Sequence, residues 1–177
     1  MKIKTPFFDI KIDIIFIIIM FIFLFSNNVR SFLSSYLICY LFIVFHESSH
    51  MFVATLFGKE IEIFNIGLFG VNIVFKKLHY NLEENYLSKK YLIRDIFIFL
   101  AGPLSNLVLA SIFKNIKVVY DINIFLCILN LIPLYPLDGY NIFKNMLLLK
   151  LDERNTDKII NIINYIVFLI LFVCGIL

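Results

Sequence analysis

Tryptophan is absent from the sequence, charged residues make up only 16% of it, and its three cysteines stand alone. Each shortage excludes a class of protein. A water-soluble domain carries about 25% charged residues and about 45–50% apolar ones. Here 61% of the 177 residues are hydrophobic, 21 of them phenylalanine. No soluble core of this length hides so much apolar side chain, because a small folded domain still presents a large surface to water. Cys39, Cys127 and Cys174 lie inside apolar runs without CxxC spacing. That excludes a disulfide framework and a thiolate metal site, and leaves them as small buried hydrophobes. A net charge of +3 with no continuous basic stripe excludes nucleic acid as a partner. What remains is a chain whose solvent is the lipid bilayer.

The opening MKIKTPFFDIKIDIIF has the basic start of a signal peptide. No small-residue cleavage site follows, only SNNVR and another apolar run, so it reads as an uncleaved first span. Apolar runs at 14–25 (extendable to 10–29), 31–58, 96–113, 122–133 and 159–177 predict an all-α polytopic membrane protein with about five or six transmembrane segments. Between them, IEIFNIGLFGVNIVFKK at 61–77 mixes β-branched and aromatic residues with Gly67 and Gly70. It predicts a small membrane-associated β element, a hairpin or re-entrant strand pair. Residues 78–95 carry charges of both signs and read as a wet loop or surface helix. There is no internal repeat, so the expectation is one integral membrane domain over 1–177.

Basic residues give the orientation. They collect in the N-terminal tail (Lys2, Lys4, Lys11), in 59–94 (Lys59, Lys76, Lys77, Lys89, Lys90, Arg94) and in 138–158 (Lys144, Lys150, Arg154, Lys158). Arg30 stands alone in the first connection, and Lys114 and Lys117 mark another. The positive-inside rule puts the three richer regions on the cytosolic side of the cell membrane, in keeping with alternation of the spans.

The chemistry lies in FHESSH at 45–50, an HExxH motif in an otherwise uncharged apolar run. Residues four apart share one face of a helix, so His46 and His50 can offer imidazole nitrogens to one zinc ion. Glu47 leans to the same side and suits a general base toward an attacking water. Buried in a bilayer, such groups cost several kcal/mol unless they are liganded or functional. His46 stands 16 residues beyond Arg30, roughly 24 Å into a core about 30 Å thick. The site is therefore expected within the membrane, nearer the cytosol, and reached by a polar cavity.

A zinc peptidase uses three protein ligands and one open position. His79, in the charged KLHYNLEEN, reads as a surface histidine. Asp138 is the better third ligand: it follows NLIPLYPL, where Pro133 and Pro136 break a helix inside an apolar run, and such breaks expose backbone or a ligand. Gly139 lets the chain turn sharply there or lets another helix close. In AGPLSN at 101–106, Ala101, Gly102 and Ser105 are small enough for close helix approach, and Pro103 frees a carbonyl. Asn106 and Asn130 suit either a hydrogen bond to substrate or a tie between helices.

With these three motifs in this order, the chain resembles the site-2 protease family of intramembrane zinc metalloproteases. Within that family it is similar to the bacterial stage IV sporulation proteases. HESSH matches the family's zinc helix, AGPLSN its central helix, and NLIPLYPLDG at 130–139 its third-ligand segment, so the likeness covers about 10–145. It implies one zinc ion held by His46, His50 and Asp138, with Glu47 as the base and Asn130 near the site. It implies cleavage of a transmembrane or membrane-associated protein. Its sporulation branch implies a sigma-factor precursor as substrate and a membrane inhibitor protein as partner. Two features depart from the pattern. Asp138 is followed by Gly139, Tyr140 and Asn141 where two glycines and a basic residue are usual, Lys144 being the nearest basic residue. The chain also ends without the C-terminal regulatory domain of many members. The competing classes are a metal or proton transporter, which would show repeats and polar groups spread over several spans, and a catalytically silent membrane scaffold, which would hold no zinc.

Overall fold

The computed structural model describes residues 2–4, 8–25, 30–68, 70–75 and 88–175. His79 and most of the charged 78–95 segment lie outside the described residues. The elements are β1 (Lys2–Lys4), β2 (Asp9–Ile12), α1 (Ile14–Phe25), α2 (Arg30–Leu56), β3 (Ile61–Gly67), β4 (Gly70–Phe75), α3 (Lys89–Ile112), α4 (Lys117–Leu131), α5 (Asp138–Leu148) and α6 (Glu153–Val173). The chain divides into two compact units, Met1–Leu78 and His79–Leu177.

In the first unit the strands form one sheet in the order β1-β2-β3-β4. β2 runs parallel to β3, from Asp9 beside Ile63 to Ile12 beside Ile66. β3 and β4 make the hairpin, closing where Gly67 faces Gly70. Gly70 has φ of +146°, a conformation essentially reserved for glycine. Tyr40, Phe64 and Val71 form the buried core, with Phe16, Tyr36, Val44, Met51 and Ile73 packed against it.

A turn in apolar surroundings leaves carbonyls that water cannot satisfy, and each needs a donor. α2 supplies them. The Tyr36 hydroxyl donates to the Leu68 carbonyl. The Tyr40 hydroxyl donates to that of Gly67 at 2.9 Å, with Gly70 O a longer 3.4 Å away. The hairpin therefore lies lengthwise along α2: β3 departs from the C-terminal end of the helix, and the turn reaches back to the level of Tyr36 and Tyr40. β4 then runs in the direction of α2 itself, toward His46 and His50.

In the second unit α3 packs on α4 and α5, and α5 packs on α6. Pro103 sits fully buried inside α3. Asn106 of α3 donates through Nδ2 to Asn123 Oδ1 of α4 at 3.2 Å, and Asn123 donates in turn to the Val119 carbonyl at 2.8 Å. Both side chains are 0% exposed, and this amide pair ties α3 to α4 inside the helix packing. α4 ends at Leu131, ahead of Pro133 and Pro136, and α5 restarts at Asp138. Asp152 caps α6 by accepting from the Asn155 amide. Lys144 of α5 meets Asp157 of α6 at 2.8 Å.

The expectation of five or six transmembrane segments is corrected. Among the described residues three helices are long and apolar enough to cross a membrane: Leu33–Leu56, Lys89–Ile112 and Glu153–Val173. The fold is an all-α domain with a small β sheet. α1, α4 and α5 have 12, 15 and 11 residues, short of the roughly 20 that a span needs. Counting apolar runs overestimates spans because a run of that composition also forms a helix too short to cross, as in α1 and α4, or a strand. The extension of the first span to 10–29 fails for the second reason: residues 9–12 are strand β2.

Candidate metal centre

α2 carries the first half of the site. Its histidines are 4% and 6% exposed, and His50 Nε2 lies 3.1 Å from His46 Nε2. The two serines between them do not compete for that space. Ser48 Oγ donates to the Val44 carbonyl at 2.7 Å and Ser49 Oγ to that of Phe45 at 2.9 Å, each a return bond to the helix's own backbone.

At about 100° per residue, Glu47 lies within about 20° of Tyr36 around the α2 axis, and the histidines lie on the flank of that face. Tyr36 and Tyr40 face the hairpin through their hydroxyls, so half-buried Glu47 projects from the sheet-facing side of the helix. Around the helix axis the base thus lies about 60° from His50 and about 100° from His46.

Asp138 opens α5. One ligand atom from each of His46, His50 and Asp138 lies within 4.8 Å of the other two, and the aspartate is half-buried. The set fits a zinc ion in chemistry and spacing. Two nitrogens on one tetrahedral zinc sit about 3.3 Å apart, given Zn–N bonds of about 2.0–2.1 Å, and two imidazoles with one carboxylate make a His₂Asp set that leaves a fourth position open.

Gly139 is required by close approach. A Cβ there would lie 2.3 Å from the Leu131 carbonyl oxygen and 2.5 Å from that of Ile132. The backbone after Asp138 thus rests directly on the end of α4. Pro136 follows a cis peptide from Tyr135. Gly102 and Pro103 are buried in α3, and Ser105 Oγ donates to the Gly102 carbonyl at 2.7 Å. Asn106 takes part in the helix tie with Asn123. Asn130 donates to the Leu126 carbonyl of its own helix at 3.0 Å.

Sequence reasoning missed Tyr36, Tyr40, Asn123 and Asn164. All four are hydrogen-bonding side chains inside apolar helices, and that was the available signal. Asn164 Oδ1 accepts from the Tyr135 amide at 2.7 Å.

Residues 35–121 match the family model described as Peptidase family M50, a stretch that holds HESSH and AGPLSN and ends before Asp138. No curated protein matches the chain. A site-2 protease from Methanocaldococcus jannaschii has a similar fold, with a TM-score of 0.66 and 22% sequence identity over 99% of this chain and 84% of that one. At that identity the likeness carries the fold. The family match over 35–121 carries the class, and the donor set agrees with it: this is a zinc metalloendopeptidase of the site-2 protease (M50) type.

Proposed function

We propose that the chain hydrolyses a peptide bond of a transmembrane or membrane-associated protein, acting as one protease domain with His46, His50 and Asp138 holding a single zinc ion. The observation that carries this reading is the buried Nε2 pair at 3.1 Å, with a carboxylate oxygen in reach of both. When bound, zinc supplies Lewis acidity, polarising the scissile carbonyl and making an attacking water more acidic. Glu47 takes the proton from that water as its oxygen adds to the carbonyl carbon. As the C–N bond breaks, Glu47 returns the proton to the departing amine nitrogen.

A helix hides its peptide bonds in its own hydrogen-bond ladder, so the substrate must be extended at the cleavage point. β4 is an outer strand of the described sheet, and it runs along α2 on the side from which Glu47 projects. A substrate segment added to that edge gains main-chain hydrogen bonds with little demand on sequence. The basic residues at 59–94 support a site nearer the cytosolic side. The sporulation branch, with a sigma-factor precursor and a membrane inhibitor, rests on the sequence motifs alone.

The test is co-expression with membrane-tethered substrates. Glu47→Gln is expected to lower cleavage by about 10²–10⁴-fold and to retain zinc in the purified protein. His46→Ala and His50→Ala are expected to lose both. Cleavage by Glu47→Gln at the wild-type rate would refute the assignment of the base.

A further inference from the structure

The segment between α4 and α5 is non-helical backbone in an apolar chain, where every amide needs an acceptor. Its donors can be followed one by one. Pro133 and Pro136 have no N–H. The amides of Ile132, Leu134 and Leu137 donate to the carbonyls of Leu129 at 3.2 Å, Ile132 at 2.8 Å and Leu134 at 2.8 Å. The Tyr135 amide goes to a side chain instead, Asn164 Oδ1 on α6, at 2.7 Å.

Asn164 is placed for this task. Along α6, positions 156, 157, 160 and 164 fall on one face at about 100° per residue. Thr156 and Ile160 on that face are fully buried, and Asp157 bonds Lys144 of α5. Asn164 therefore lies on the inward face of a helix whose outer face is Ile162, Tyr165, Ile166 and Leu169, all exposed. An asparagine on such a face is expensive unless it holds something.

We propose that Asn164 is a positioning residue for the third metal ligand: by fixing the Tyr135 amide, it sets the path of the chain into Asp138 three residues later. This rests on the reading of Asp138 as a zinc ligand. The segment is pinned at two points. Asn164 fixes one side of Asp138, and the contact of Gly139 with the Leu131 and Ile132 carbonyls fixes the other. Losing the first pin lets residues 134–137 rotate and carries the Asp138 carboxylate with them.

The test measures zinc affinity of the full chain purified in detergent, by chelator competition, together with the visible spectrum of the cobalt-loaded protein. Asn164→Ala is expected to weaken zinc binding roughly 10–100-fold, the range typical of residues that orient a ligand, and to alter the cobalt spectrum. Asn164→Asp keeps an acceptor oxygen at the same reach and is expected to recover most of the affinity. Asp157→Asn loosens the α5–α6 contact without touching the segment and is expected to leave affinity unchanged. If Asn164→Ala does not fold, Asn164→Gln, which shifts the oxygen by one methylene, is expected to show an intermediate loss. Wild-type affinity and spectrum in a folded Asn164→Ala or Asn164→Gln protein would overturn the proposal. So would equal losses in Asn164→Ala and Asp157→Asn. Asp138→Ala separates the two readings: zinc retained there defeats the third-ligand assignment, whereas zinc lost there but kept in Asn164→Ala defeats only the role of Asn164.

Discussion

Two segments of this molecule leave regular structure in an apolar setting, and they meet the same requirement from opposite directions. The hairpin turn at 67–70 presents carbonyls, and α2 answers with donors, the hydroxyls of Tyr36 and Tyr40. The proline segment at 132–137 has lost two of its donors to Pro133 and Pro136, and α6 answers the Tyr135 amide with an acceptor, Asn164 Oδ1. The chemistry of the nearby helix is thus dictated by which half of the peptide group the irregular backbone leaves over. The lesson carries to any membrane enzyme: a polar residue in an apolar helix is read by asking which main-chain group of a neighbouring break it completes.

The comparison breaks most visibly at the glycines. Gly139→Ala puts a Cβ 2.3 Å from a backbone oxygen that no side-chain rotation relieves. The expected cost is about 3 kcal/mol or more, with loss of zinc from whatever protein folds. At the hairpin, a Cβ on Gly70 has only Ile43 Cγ2 at 3.8 Å, and Gly70→Ala is expected to cost the backbone strain alone, about 1–3 kcal/mol. Unfolding in detergent reads both, and a Gly139→Ala protein as stable as wild type would show that the segment is not packed on α4 as described.

A sharper cut comes from the donors. Tyr36→Phe and Tyr40→Phe each orphan a carbonyl, at about 1–3 kcal/mol. If the hairpin presents substrate, each should raise KM for a membrane-tethered substrate while zinc content stays at wild type. Zinc loss in these variants would dissolve the division of labour between the two segments.

The smallest effect is at the α5–α6 ion pair. The hydrogen bond to Asp157 raises the pKa of Lys144 above its ordinary value. A raised lysine contributes stability below its unfolded pKa of about 10.4 and loses it as pH rises through the folded value. For a partly exposed pair the contribution is about 0.2–1 kcal/mol. Asp157→Asn should therefore lower the melting temperature slightly at pH 8, and the difference from wild type should shrink as pH rises through the raised folded pKa of Lys144.

Much of the site was legible because its signals are local. HESSH shows its ligand spacing within one helical turn, and the proline pair before Asp138 marks a break by itself. Gly139 was open to two explanations, and the structure selects close approach. The fold was less legible. A run such as 122–133 has the composition of a span and the length of a short packed helix, and composition alone does not separate the two. The strand at 9–12 was read as the edge of a span because its partner lies at 63–66, far along the chain, and no periodicity within five residues reveals it. Asn164 was passed over for a different reason: its partner is a main-chain amide, which carries no letter in the sequence.

The parallel pairing of β2 with β3 also sets an order of events in time. Some fifty residues separate Asp9 from its neighbour Ile63, and the ribosome adds about 5–20 residues per second. β2, already paired with β1 on one edge, must therefore wait about 3–10 seconds after synthesis, with α1 and α2 already made, before β3 exists to fill its other edge. During that interval its open edge has to be kept from other strands.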